Sequence, residues 1–394
     1  MSDKTAQRVQ FDSPQFKALP PLALYIHVPW CLRKCPYCDF NSHALRGELP
    51  EEAYVSALIA DLEQALPSVW GRTVYSVFLG GGTPSLLTPS AVDRLLAAVR
   101  ARLPLTVDAE ITLEANPGTF EAERFRGYRA AGVNRLSIGV QSFDPRRLAA
   151  LGRVHDAVEA RRAIDCVQSV FENWNADLMY ALPGQSVEEA CADMAALLAY
   201  APPHVSAYHL TVEPNTYFHR YPPALPDDDA AAAMQEALEA LLAKAGYEHY
   251  EVSAFARPGR ACRHNLNYWR FGDYLGIGAG SHSKLSFPDR IVREMRYRQP
   301  QEYQERVAAG GAVQERREVT AADAGLEFMM NALRLMQGIE VSAFAERTGL
   351  PITRIAGALA DAERRGLIVR DHARLAPTVL GRRFLNDLLA LFVP

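Results

Sequence analysis

Three of the six cysteines fall within eight residues, in the string Cys31-Leu-Arg-Lys-Cys35-Pro-Tyr-Cys38, while Cys166, Cys191 and Cys262 are scattered. That pattern is a poor disulfide framework and a good metal loop, because thiols on one short loop can converge on one centre. A closed zinc site wants four ligands, so zinc would have to recruit His27, His43 or Asp39 as the fourth. An iron–sulfur cluster also normally takes four cysteines, and three on a loop would leave one iron open to a small molecule. Both chemistries need reduced thiols.

The loop must be held by a scaffold. Six β-rich runs (Leu22 to Val28, Val74 to Leu79, Ala109 to Glu114, Arg135 to Gln141, Ala176 to Ala181, Val205 to Val212) alternate with amphipathic stretches. The latter are Glu51 to Leu66, Ser90 to Arg102, Phe120 to Ala131, Asp156 to Phe171 and Val187 to Ala199. Apolar residues at three- and four-residue spacing, as in Val55, Leu58, Ile59 and Leu62, predict helices that cover one face of a sheet. The alternation implies an α/β fold of parallel strands joined by right-handed crossovers, either an open doubly wound sheet or a barrel. The cysteine loop follows the first strand. Polar, charged or glycine residues close at least four strands, where either architecture places its active site.

The 394 residues, 49% hydrophobic and 22% charged, can bury a large core. A net charge of −4 argues against a chain whose task is to coat nucleic acid. No apolar run reaches about 18 residues, so no membrane span is expected. The start, Met1 to Pro21, is polar and lacks the apolar centre of a signal peptide, which points to a cytoplasmic chain. The pattern divides into a leader over 1–21, a core over 22–213, an extension over 214–319 and a C-terminal unit over 320–394. A helix is expected from Ala230 to Ala245, whereas Glu248 to Ser286 shows little periodicity. Val341 to Arg347, Ile352 to Arg365 and Leu367 to Leu375 predict helix, turn, helix and a short wing, a unit used as often for docking as for DNA.

The cysteine spacing, with an aromatic just before the last thiol, resembles the radical S-adenosylmethionine superfamily. Five strings narrow the likeness: Tyr25-Ile-His-Val-Pro-Trp-Cys31, Gly80-Gly-Gly-Thr-Pro84, Glu114-Ala-Asn-Pro117, Gly139-Val-Gln-Ser-Phe143 and Asp177-Leu-Met-Tyr-Ala-Leu-Pro183. Together they are similar to the branch that holds the oxygen-independent coproporphyrinogen III oxidases and the HemW haem chaperones. The resemblance implies a partial (β/α)6 TIM-like barrel and a [4Fe-4S] cluster on Cys31, Cys35 and Cys38. The open iron would chelate S-adenosyl-L-methionine, which an electron from a donor protein cleaves to a 5′-deoxyadenosyl radical. It assigns the methionine end to Gly81, Gly82 and Thr83. Glu114, Gln141 and Asp177 would serve its amino group and ribose hydroxyls, Arg153 its carboxylate, and Tyr25 and Tyr37 would flank the loop.

Two functions share that branch. In the oxidases another cysteine stands two positions after the third, and here Cys38-Asp39-Phe40 lacks it. The string His264-Asn265-Leu-Asn-Tyr268-Trp269 resembles the HNxxYW signature of the chaperones, which implies haem as a second cofactor and haem-accepting respiratory proteins as partners. A neutral imidazole suits haem iron, and Tyr268 and Trp269 offer flat faces to a porphyrin. Cys262 and His282 are weaker candidates for a second ligand. The expected function is a haem chaperone. An oxygen-independent coproporphyrinogen III oxidase and a zinc-stabilised binding protein are the alternatives.

Overall fold

The computed structural model describes residues 13–118 and 122–393. Six parallel strands stand side by side in chain order: β1 (Leu22–Val28), β2 (Val74–Gly81), β3 (Leu105–Ala115), β4 (Arg135–Gln141), β5 (Trp174–Tyr180) and β6 (His204–His209). Parallel neighbours cannot be joined by a hairpin, and each crossover carries a helix. These are α1 (Glu51–Ala65), α2 (Pro89–Arg102), α3 (Ala122–Ala131), α4 (Pro145–Ala150) with α5 (Ala157–Val170), and α6 (Val187–Leu198). The starts of α2, α4, α5 and α6 are set by Thr88, Asp144, Asp156 and Ser186, whose side chains accept free amides of the first turn, with reciprocal capping boxes at Asp156/Glu159 and Ser186/Glu189. The start expected for α3 at Phe120 lies outside the described residues.

Alternation along the strands separates two environments. Leu24, Ile26, Val77, Leu79, Ile111, Leu113, Leu136 and Ile138 face the helices and join Tyr54, Leu58, Leu96 and Phe125 in one apolar core. The opposite face carries Ser76, Glu110, Thr112, Arg135, Ser137, Asn175, His204 and Ser206, all buried. Strands of parallel sheets are ordinarily apolar on both faces, so a polar inner face marks the side built for ligands.

The sheet continues beyond these six. After α7 (Tyr217–Arg220) and α8 (Asp228–Lys244), β7 (Glu248–Glu251) and β8 (Ala254–Ala256) extend it antiparallel from β6. The chain then forms α9 (Arg263–Trp269), and β9 (Asp273–Ile277) pairs parallel with β1. Antiparallel β10 (His282–Phe287), β11 (Arg290–Arg296) and, after α10 (Pro300–Ala308), β12 (Val313–Glu318) complete twelve strands. The stretch Glu248 to Ser286 is thus strands around a helix. Its lack of periodicity has a physical cause: β7 and β8 are four and three residues long, and β9 is buried on both faces.

The junction of β1 and β9 is closed by α1. Tyr54 donates its hydroxyl to the carbonyl of His27 (2.8 Å) and accepts the amide of Ala279 (2.9 Å). Asp61 accepts the amide of Gly278 (3.0 Å) and the hydroxyl of Tyr303 (2.9 Å). Gly278 has φ +99°, and a Cβ there would lie 2.4 Å from the His27 carbonyl oxygen.

A second apolar core, with Phe328, Phe344, Leu359 and Leu388, holds the C-terminal unit together. It contains α11 (Ala321–Ala332), β13 (Ile339–Glu340), α12 (Ser342–Thr348), α13 (Ala356–Arg364), β14 (Ile368–Arg370), β15 (Arg374–Pro377), α14 (Val379–Arg383) and α15 (Leu385–Ala390). The order β13-β15-β14 gives the expected helices with a wing. Of the leader, 1–12 lies outside the described residues. The part that is described is bound down, with the amide of Gln15 on the Gly349 carbonyl (2.8 Å) and that of Phe16 on Pro288 (3.0 Å). Among the described residues no helix is long and apolar enough to cross a membrane.

Tyr54→Phe removes one hydroxyl and strands two buried backbone groups at once. It is expected to lower unfolding stability by about 1–3 kcal/mol in chemical denaturation without changing the native spectrum.

Candidate functional site

One cavity of about 980 Å3 occupies the inner face, and of the residues that the sequence singles out for the cluster, S-adenosylmethionine and haem all but Cys262 line it. At one end are Cys31, Cys35, Cys38 and Tyr37 with Gly81, Gly82 and Thr83, and Arg153 beside them. Tyr25, Glu114, Gln141 and Asp177 line its walls, and His264, Tyr268 and Trp269 also border it. The cavity runs along the strands: Arg135 and Gln141, six residues apart on β4, both border it, a span of roughly 20 Å.

The cysteine loop is fixed by backbone. Trp30–Cys31 pairs with His43–Ala44 across its base. The amide of Gly82 donates to Val28 O (2.7 Å) and that of Thr83 to Trp30 O (2.7 Å), so the chain leaving β2 is zipped onto the chain leaving β1. The glycines permit this approach: a Cβ on Gly81 (φ +112°) would sit 2.5 Å from the His27 ring, and one on Gly82 2.5 Å from the Trp30 carbonyl oxygen. The Gly81 amide donates to Glu114 Oε2 (3.2 Å). These three amides therefore have protein acceptors, and whatever the turn offers a ligand is not those N–H groups.

His27 transmits order from the strand to the loop. Its Nε2 must carry the proton, because it meets the carbonyl of Asn41 (2.9 Å), and its Nδ1 then accepts the hydroxyl of Tyr25 (3.0 Å). Asn41 in turn donates to the carbonyls of Ala279 and Arg298 (both 2.9 Å). Arg153 plays the same part opposite. It donates to Asn116 Oδ1 (2.5 Å) and Gly139 O (2.8 Å), and reaches Cys35 Sγ at 3.6 Å, while its buried Nε has no partner. Asn116 donates to Thr83 Oγ1 (2.8 Å). Gln141 adopts φ +70°, a strained backbone for a non-glycine residue and a frequent mark of ligand sites.

The acids differ from ordinary surface carboxylates. Burial first, and Asp177 nearby second, push Glu114 up to about 8, and burial raises Asp177 as well. Burial, with Cys38 and Cys35 adding to it, raises the Cys31 thiol. Three thiolates crowd unfavourably unless positive metal sits among them, so the donor set fits an iron–sulfur cluster. Among the described residues no three His, Cys, Asp or Glu side chains are placed to hold one lone metal ion.

Farther from the cysteines the inner face saturates itself. Asn175 accepts from His204 Nδ1 (2.7 Å) and Ser206 (3.1 Å), and donates to Ser137 (2.7 Å) and Asp177 (2.8 Å). Glu110 caps α9 by accepting the amides of Arg263 (3.2 Å) and His264 (3.1 Å). His264 lies on that helix rather than on a loop, with Nδ1 on Ser76 Oγ (3.0 Å) and a buried Nε2 without a partner. Burial, then the charge of Arg135, lowers its pKa to about 3. Tyr268 stacks on Tyr274 at 4.1 Å, and Arg334 lies 4.3 Å over Trp269, so each ring has one face already covered. Cys262 is a correction to its candidacy as a second ligand: it is buried, donates to Glu110 (3.5 Å), and burial pushes its thiol up to about 12. His282 is exposed on β10 and only borders the cavity.

Sequence reading missed Glu110, Arg135, Asn175 and His204, which lie in the interior or at the N-terminal start of their strands rather than at the C-terminal ends. The signal was present as polar residues at every second position, Glu110-x-Thr112-x-Glu114 and Arg135-x-Ser137.

Two outcomes follow. Gly81→Ala should cost about 1–3 kcal/mol from backbone strain alone and cut the iron bound after anaerobic reconstitution severalfold, read by iron and sulfide analysis. Acid should destabilise the fold before carboxylates titrate. His27 and His155 are held at about 4, and His264 at about 3, by burial above all, so only the unfolded chain takes up their protons below about 6.5. Their stability is complete above that pH and lost on falling toward 4. Glu114, raised to about 8, and Asp177, Asp193 and Glu251, also raised by burial, work the other way, but burial lowers His43, His204, His209, His249 and His282 as well, so the histidines outnumber these carboxyls. Melting temperature should therefore drop between pH 7 and 5; a level or rising curve would contradict the burial of these rings.

Comparison with known proteins agrees with this geometry. The Radical SAM superfamily model matches residues 25–197, and that of the HemN C-terminal domain matches 319–384. The solved coproporphyrinogen III oxidase (HemN) from Escherichia coli shares the fold, with TM-score 0.81 at 23% identity, covering 95% of this chain and 90% of that one. The protein named heme chaperone HemW in Escherichia coli K12 is 50% identical over 95% of this chain and 99% of its own length. That of Haemophilus influenzae is 45% identical over 95% and 98%. At this identity and coverage the chain belongs to the HemW family of radical S-adenosylmethionine proteins.

Proposed function

We infer that this protein is a cytoplasmic haem chaperone, which binds haem at His264 and hands it to acceptor proteins of respiration. Cys31, Cys35 and Cys38 hold a [4Fe-4S] cluster with S-adenosyl-L-methionine in the same cavity. The observation that carries the reading is the His264 imidazole: neutral, buried, anchored through Nδ1 to Ser76, and with Nε2 unpartnered at the cavity. A metal-binding histidine commonly has this form, one nitrogen oriented by a second group and the other available. The names of the relatives support the same reading.

The cluster, when bound, supplies the electron that can cleave S-adenosylmethionine. The chain's own residues position and shield. Arg153 presents a guanidinium beside Cys35, with Nε left for a carboxylate. Glu114 and Asp177 offer carboxyls, and Gln141 an amide, for an amino group and ribose hydroxyls.

Titration of haem into the reconstituted protein, followed by its Soret band, tests the function. His264→Ala is expected to weaken haem binding by at least about tenfold while the cluster absorption stays. Unchanged affinity would move haem elsewhere. Robust conversion of coproporphyrinogen III by the reconstituted protein would replace the chaperone reading with the oxidase one.

A further inference from the structure

Arg135 opens β4 on the inner face, far from the cysteine loop, and only 2% of its surface is exposed. It borders the cavity, yet its Nε has no partner, and among the described residues no carboxylate comes within ion-pair distance of its guanidinium. Nearby acids, Glu110 and Asp177 among them, attract it through space and keep it charged, but none touches it, whereas the other fully buried cations among the described residues have contact partners. Arg296 pairs with Asp61 (3.3 Å) and Glu294 (3.0 Å), and Lys284 with Asp273 (3.0 Å).

The acids that attract Arg135 from a distance have their polar atoms engaged by other partners, which leaves its N–H donors without a contact acceptor. Glu110 is occupied by the first turn of α9 and by Cys262, and Asp177 by Asn175 and Ser137. Tyr250 gives its hydroxyl to His204 (2.8 Å). Arg135 pairs with Thr112 across β3 and β4, two residues from the Glu110 whose carboxylate accepts the His264 amide, so the guanidinium and the unpartnered imidazole nitrogen share one region of the cavity.

We propose that Arg135 is the anion-binding residue of this region and takes a carboxylate of the ligand that His264 holds. On the haem reading above, upon which this rests, that carboxylate is a porphyrin propionate. Arginine is shaped for it: a planar guanidinium grips a carboxylate with two parallel N–H donors. The arrangement separates affinity for the metal, at His264, from recognition of the porphyrin edge, at Arg135. Arg153 near the cysteines remains free to serve a different carboxylate.

The test uses the reconstituted full chain and three probes: haem, haem dimethyl ester and metal-free protoporphyrin. Wild type should bind haem roughly tenfold or more tighter than its ester, as expected for one charge-assisted contact. Arg135→Gln should erase that preference by weakening the diacid alone, and Arg135→Lys should retain part of it. Metal-free protoporphyrin should depend on Arg135 and be indifferent to His264→Ala. Haem bound with its preference intact in Arg135→Gln overturns the proposal and leaves the haem reading standing. Absence of any saturable haem binding in wild type overturns both.

Discussion

A parallel sheet that buries polar side chains on its inner face must satisfy them with one another or with a bound molecule, since water is excluded and an unmet donor is expensive. That constraint organises this protein. Asn175 uses both donors and its acceptor oxygen, with two donors on the latter, and so closes the network of Ser137, Asp177, His204 and Ser206. The network is self-sufficient and makes a rigid wall. Among the described residues that line the cavity, five buried polar atoms stay outside it: Arg153 Nε, Arg135 Nε, His264 Nε2, Trp269 Nε1 and Ser281 Oγ. These unsatisfied atoms mark where a bound molecule would complete the inner face.

Rigidity at the cysteine end has a different source. The loop of Cys31 to Cys38 contains little secondary structure, and its position is imposed from below by steric closeness. Gly81 and Gly82 lack the Cβ atoms that would strike His27 and Trp30. His27, with a defined tautomer, then links Tyr25 to Asn41. The glycine string is therefore as much a part of the cysteine loop's foundation as of any ligand pocket. Opposite, Gly152 allows Pro36 to approach, where a Cβ would lie 2.9 Å from its Cδ.

Much of this was legible in the sequence because helices and strands of the first 210 residues are long enough to show a period, and because functional residues at strand ends sit beside glycine and proline. The cysteine string, the glycine turn, Glu114, Gln141 and Asp177 were found in that way and line one cavity. What the sequence hid was short or long-range. Strands of three and four residues carry no period, and the pairing of β9 with β1 joins segments some 250 positions apart, which no local pattern records. Arg135 and Glu110 look like ordinary charges until alternation places them inside. The aromatic rings of Tyr268 and Trp269 looked available in one dimension, and only tertiary contact shows Tyr274 and Arg334 on their faces.

The helix that carries His264 also explains why a C-terminal unit accompanies this sheet. In α9, His264 and Tyr268 stand four residues apart and so share a face, which points at the cavity. Leu266 packs against the second apolar core, the cluster that contains Phe328 and Met329, and Trp269 packs against that core as well as bordering the cavity. Arg334, at the end of α11, covers Trp269 and also bonds Glu251 of β7 (3.2 Å). A helix of seven residues has too little surface to fix its own orientation. Held by Glu110 at its first turn and by the C-terminal unit along one side, it presents one imidazole nitrogen at a defined depth in the cavity, with no loop entropy to lose when a ligand meets it.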